Sequence, residues 1–108
     1  MTLEFVELKS FTLTAAGVLS DDELRAVEDE LLENPDAGAV VAGTGGVRKI
    51  RVALPGGGKR GGARVLYYYD RRRAVIHLIL CYAKNQSSTL TAAGKKLVRA
   101  IANEIDRT

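Results

Sequence analysis

Between Ala74 and Ala83 the chain runs for ten residues without a charge, and His77 is its only strongly polar side chain. That length falls far short of the roughly 20 apolar residues a membrane-spanning helix needs. It matches a central strand buried on both faces, which requires neighbouring strands and covering layers. The N-terminus has no basic region followed by an apolar stretch, so no secretory signal is expected. Cys81, the single cysteine, cannot form an internal disulfide, and the expected location is cytoplasmic, with no membrane partner.

The remaining elements assemble around that strand. Leu3 to Leu8 alternates apolar and acidic residues as a short half-exposed strand does, and Ser10 to Gly17 reads as a short helix. Ser20-Asp21-Asp22-Glu23 is a capping box opening a helix whose Leu24, Val27, Leu31 and Leu32 share one face, bounded by Pro35. Val47 to Leu54 and Arg64 to Tyr69 are rich in β-branched and aromatic residues and flank the turn material Pro55 to Gly62, a hairpin with a long loop. Asp70 to Arg73 is a tight turn. Thr91 caps a last helix in which Leu97, Val98, Ile101 and Ile105 recur at helical spacing. The expectation is a single α+β domain over residues 1–108: an antiparallel sheet made of the N-terminal strand plus a three-strand meander, with two N-terminal helices and a C-terminal helix packed on one face.

Charge gives the first hint of function. The formal net charge of +3 conceals a division. Residues 1–42 hold ten acids and two bases, 43–73 nine bases and one acid, and 74–108 five bases and two acids. A concentrated basic block favours a polyanion, most often a nucleic acid, unless the acidic first third neutralises it within the fold.

Gly56-x-Gly58-x-x-Gly61 satisfies the dinucleotide fingerprint but opens a strand rather than a helix, so it is set aside. One histidine and one cysteine make a poor zinc site, and His77 and Cys81, on the same side of their strand by alternation, read as core residues; no metal or cofactor is expected. In the hairpin, alternation puts Lys49 and Arg51 on one side and Arg48, Ile50 and Val52 on the other. Arg64 opens the next strand, after a loop carrying Lys59 and Arg60 between glycines, where backbone N–H groups can follow a phosphate chain. Tyr67, Tyr68, Tyr69 and Tyr82 supply rings on which a base could stack.

The strings GTGGVRKIRVA (43–53), GGGKRGGARVLYYY (56–69) and LILCYAKNQSSTLT (78–91) together resemble the RelE/HigB superfamily of bacterial type II toxins, especially its HigB branch. The resemblance implies a compact RelE-like fold, a ribosome-dependent, metal-independent endoribonuclease (mRNA interferase) that cuts mRNA in the A site and inhibits translation, and neutralisation by a HigA-like helix-turn-helix antitoxin. It assigns catalytic roles to Lys49, Arg51, Arg64 and Lys84; beside them Arg48, Lys59, Arg60, Tyr68, Tyr82 and Asn85 are expected to bind RNA. Asn85 stands where many members carry a further arginine, and Ser87 to Thr91 offers no counterpart to their downstream tyrosine. A non-cleaving RNA- or ribosome-binding module of the same fold is therefore the alternative, and a ParE-type gyrase inhibitor a remoter one.

The chemistry of such a site follows from the residues. Attack of a ribose 2′-OH on the adjacent phosphate needs charge stabilisation on the phosphorane-like oxygens, which bidentate, always-charged Arg51 and Arg64 suit. Lys49 or Lys84 is suited to act as base or as a fixed positive charge. A ribosome would supply alignment, and positioning alone accounts for several kcal/mol of a barrier.

Overall fold

The computed structural model describes residues 2–53, 62–83 and 91–108. Its elements are β1 (Glu4–Glu7), α1 (Lys9–Ala15), α2 (Asp21–Glu33), β2 (Ala39–Val40), β3 (Arg48–Val52), β4 (Ala63–Asp70), β5 (Val75–Ala83) and α3 (Ala92–Arg107). The strands form one sheet in the order β1-β5-β4-β3-β2. The meander β3-β4-β5 is antiparallel, as expected. The N-terminal strand pairs with β5 in parallel, Glu4 opposite Val75 and Glu7 opposite Leu78, so the sheet is mixed rather than wholly antiparallel. Two residues after Gly38 add a short edge strand, β2, that alternation could not reveal at that length.

The helices cover both faces of the sheet, not one. Phe11 of α1 and Val27 and Leu31 of α2 pack with Ile50, Val52, Val65, Tyr67, Ile76 and Leu78. On the other face Val98 and Ala102 of α3 pack with Val47, Leu66 and Ile79. The cause is β4 and β5 themselves, whose side chains on both faces are largely apolar and would otherwise lie in water.

Local signals explain the helix ends. Ser20 Oγ accepts from the Glu23 N–H while Glu23 Oε1 accepts from the Ser20 N–H, completing the capping box. Thr91 Oγ1 accepts from the Gly94 N–H and starts α3. Two expected core leucines lie outside: Leu32 and Leu97 are 51% and 64% exposed. On α3 the small Ala102, one turn beyond Val98, lets the helix approach the sheet closely, and this turns Leu97 outward.

The segment after α2 is fastened by one side chain. Tyr67, fully buried, donates its hydroxyl to the Pro35 carbonyl at 2.8 Å and accepts from the Gly38 N–H at 2.9 Å. A Cβ on Gly38 would lie 2.8 Å from the Lys49 carbonyl oxygen and 2.9 Å from the Tyr67 ring, so only glycine allows this approach.

A β-bulge corrects a further expectation. Leu66 faces Leu80 and Tyr67 faces Leu78, leaving Ile79 as an extra residue in β5. The two halves of β5 are therefore out of phase. Ile76, Leu78 and Cys81 point to the α1/α2 face, and His77, between the first two, points to the other. His77 and Cys81 do not share a side. Cys81 is core, whereas His77 is only half-buried, paired across the strands with Tyr68.

Candidate functional site: a basic row across the sheet

The register of the hairpin aligns the charged positions of the basic block. Arg51 of β3 lies directly across from Arg64 of β4, and Arg64 directly across from Tyr82 of β5. Lys49 sits two residues back from Arg51, opposite Leu66. These four share the sheet face that α3 covers farther along, because Ile50 and Val52 commit the opposite face to the core. Directly opposed residues have Cβ atoms about 5 Å apart, and like charges there are destabilising. Two arginines held in that relation concentrate positive charge on this part of the sheet.

The surroundings sharpen the picture. Arg51 is exposed and Lys49 half-buried. Arg64 is 7% exposed, its Nη1 donating to the Ala63 carbonyl at 3.3 Å. Tyr82 is buried beside it, and among the described residues its hydroxyl has no hydrogen-bond partner. Burial pushes the Tyr82 hydroxyl up from its usual pKa, opposed by the nearby Arg64 charge. Among the described residues no group of three or more His, Cys, Asp or Glu side chains is placed to hold a metal ion. Lys84 and Asn85 follow Ala83, the end of β5; with Lys59 and Arg60 they lie outside the described residues.

Residues 8–108 match the family model described as the RelE toxin of the RelE / RelB toxin-antitoxin system. The chain belongs to the RelE toxin family. A solved structure of an E. coli RelE toxin mutant in the free state is similar to it in fold, with a TM-score of 0.57 and 18% identity over 82% of this chain and 90% of that one. Among the described residues of this RelE-family toxin no helix is long and apolar enough to cross a membrane.

Two of the residues expected to bind RNA lie away from the row. Arg48 falls on the α2 face of the sheet, where it donates to the carbonyls of Gly38 (2.6 Å) and Asp36 (3.1 Å) and pairs with the Asp36 carboxylate at 3.3 Å. Tyr68 donates to Asp106 Oδ1 of α3 at 2.6 Å. Burial, followed by that carboxylate, pushes its hydroxyl up to about 12, so it is a neutral donor at any physiological pH.

Arg48 and Tyr68 both line a second place, a cleft of about 330 Å³ where the turn after β4 approaches the end of α3. Arg71 and Arg72, from the Asp-Arg-Arg-Arg turn, line it with Tyr69 and Asp106. Sequence reasoning counted these arginines in the basic block but gave them no site. The available signal was three successive bases at a hairpin turn, which alone does not specify a direction.

The Tyr residues of β4 otherwise serve the fold. Tyr67 is core, and Tyr69 packs against the α1/α2 cluster with the Arg71 guanidinium 4.9 Å from its ring centroid.

Proposed function

We propose that this toxin is a ribosome-dependent endoribonuclease that cleaves mRNA in the A site without a metal ion, acts in the cytoplasm, and is neutralised by a HigA-like helix-turn-helix antitoxin. The observation that carries the proposal is the row Arg51–Arg64–Tyr82 with Lys49 alongside. When the 2′-OH attacks its neighbouring phosphate, negative charge builds on the non-bridging oxygens. Two guanidinium groups presented from adjacent strands meet that charge with fixed geometry, so they stabilise the transition state more than the ground state. Lys49 adds an ammonium at the same face, and Lys84 is the residue that follows β5 in the sequence. The Tyr82 hydroxyl adds a donor whose ordinary solvation is already removed.

The test is primer extension on cellular mRNA after brief induction. Wild-type protein should give discrete cuts within codons. Arg64→Ala and Arg51→Ala should each lower cleavage about 10²- to 10³-fold, the range found for removing one preorganised electrostatic donor. Full growth inhibition and full cleavage by Arg64→Ala would overturn the assignment. Asn85 and the missing downstream tyrosine favour a second reading, a non-cleaving ribosome binder. The same assay separates it, as stalled translation without cuts.

A further inference from the structure

The cleft at the far end of the hairpin has the makings of a second anion site. β4 outruns β3 there: Arg48 pairs with Tyr67, and Tyr68, Tyr69 and Asp70 continue with β5 on one side only. The gap is framed by the turn that precedes β3, whose Gly46 adopts φ +106°, and a Cβ there would touch the Tyr68 ring at 3.4 Å. Glycine thus keeps this wall free of side chains.

The charges are unequal in number. Asp36 is the single carboxylate shared by Arg48 and Arg71. Asp70 is matched by Arg73, with Arg73 Nη1 to Asp70 Oδ2 at 2.6 Å. Asp106 accepts from Tyr68, and Arg72 reaches only its main-chain carbonyl, at 3.0 Å. Among the described residues Arg72 forms no ion pair, and Arg71 is 61% exposed. Four arginines against three carboxylates leave one positive charge for one monoanion.

Tyr68 and Tyr69 line the cleft, and Arg71 already lies over the Tyr69 ring. A cation beside aromatic faces suits a phosphate attached to a base better than a carboxylate on a flexible peptide. The opening lies roughly 20 Å along β4 from Arg64. It is too far for the same phosphodiester and near enough for the same strand of nucleic acid.

We propose that this cleft is a nucleotide subsite, in which Arg72 and Arg71 hold one RNA phosphate and Tyr68 or Tyr69 supports the attached base, at a distance from the cleavage row. The inference rests on the reading that the target is RNA, but not on cleavage. The phosphate belongs either to the mRNA outside the cut codon or to ribosomal RNA, and the two differ in what they predict.

The first measurement is an amide-resolved NMR titration of purified protein with uridine 5′-monophosphate. Shifts are expected at Gly45, Gly46 and Tyr68 to Arg72. Arg72→Glu should weaken binding roughly tenfold or more, the scale of one charge-assisted hydrogen bond, and Arg72→Lys should retain most of it. Because Arg72 is exposed in a turn, both variants should keep the wild-type circular dichroism spectrum. Equal binding of unphosphorylated uridine, shifts confined to Arg51, Arg64 and Tyr82, or hexaglutamate binding where the nucleotide does not would overturn the proposal. The second measurement is cleavage on programmed ribosomes. A rise in KM for Arg72→Glu only on messages extending beyond the cut codon assigns the phosphate to mRNA, and an equal rise on truncated messages assigns it to ribosomal RNA. Unchanged KM on both, with cleavage intact, would refute the assignment to RNA; absence of cleavage in the wild type would refute only the proposed reaction.

Discussion

Replacing Tyr67 by Phe tests whether one hydroxyl fastens the segment between α2 and β3. The ring stays, so no cavity opens and the packing with Ile50, Val65 and Leu78 is kept. Two bonds are lost together, one accepted from the Gly38 N–H and one donated to the Pro35 carbonyl. The Gly38 N–H is the more costly of the two, because its bond to Tyr67 is buried whereas the Pro35 bond is only partly so. An unsatisfied buried donor costs about 1–3 kcal/mol, and the Pro35 bond, partly open to solvent, about 1 kcal/mol. The sum is about 2–4 kcal/mol. For a domain of this length that corresponds to a fall in Tm on the order of 10 °C. Urea denaturation followed by circular dichroism should show a lower midpoint at unchanged slope. A loss smaller than about 0.5 kcal/mol would refute the claim that this hydroxyl secures the segment.

Other predictions concern ionisation and reactivity. Arg73→Ala leaves the buried Asp70 carboxylate without its main partner and should cost about 1–3 kcal/mol at neutral pH, discounted for Arg73's partial exposure. Burial alone would raise the Asp70 pKa, but the Arg73 bond and charge, with Arg72, bring it below the usual carboxylate value. Its contribution is therefore present above the unfolded pKa and lost as pH falls through the depressed folded one, and acid titration of Arg73→Ala should lack that limb. The opposite sign applies to Tyr68, whose folded pKa of about 12 exceeds the unfolded 10. Stability should hold below pH 10 and decline as pH rises toward 12, as thermal melts at stepped alkaline pH will show. Burial pushes the Cys81 thiol up to about 11, so iodoacetamide at pH 8 should leave it unlabelled until denaturant unfolds the chain; rapid labelling of native protein would contradict its core placement.

Much of this fold is legible in the sequence because local and global signals agree. Ser20 and Glu23 specify a helix start, and Ile50 and Val52 fix which side of β3 is core. Once that side is fixed, Lys49 and Arg51 share the other, and the register with β4 needs only the hairpin. The failures have physical causes. Period-two alternation assumes an unbroken ladder, so the bulge at Ile79 defeats it for His77 and Cys81. Hydrophobicity ranks Leu97 above Ala102, but close approach of helix to sheet ranks them the other way. The cleft escapes because Arg48, Arg71 and Asp106 come from three separate parts of the chain, and no spacing rule brings them together.

The parallel pairing of β1 with β5 has a consequence for how the protein is made. Residue 4 finds its partner only at residue 75, so the first strand synthesised is among the last to be placed. Until Val75 to Leu78 has emerged from the ribosome, the N-terminal strand has no ladder to join and Leu8 has no Leu78 carbonyl to donate to. Contacts of such high sequence separation slow folding and defer it toward the end of translation. The row formed by Arg51, Arg64 and Tyr82 needs the same late strand. A nascent chain therefore carries its basic block without the geometry that aligns it until Val75 to Ala83 has been made and paired.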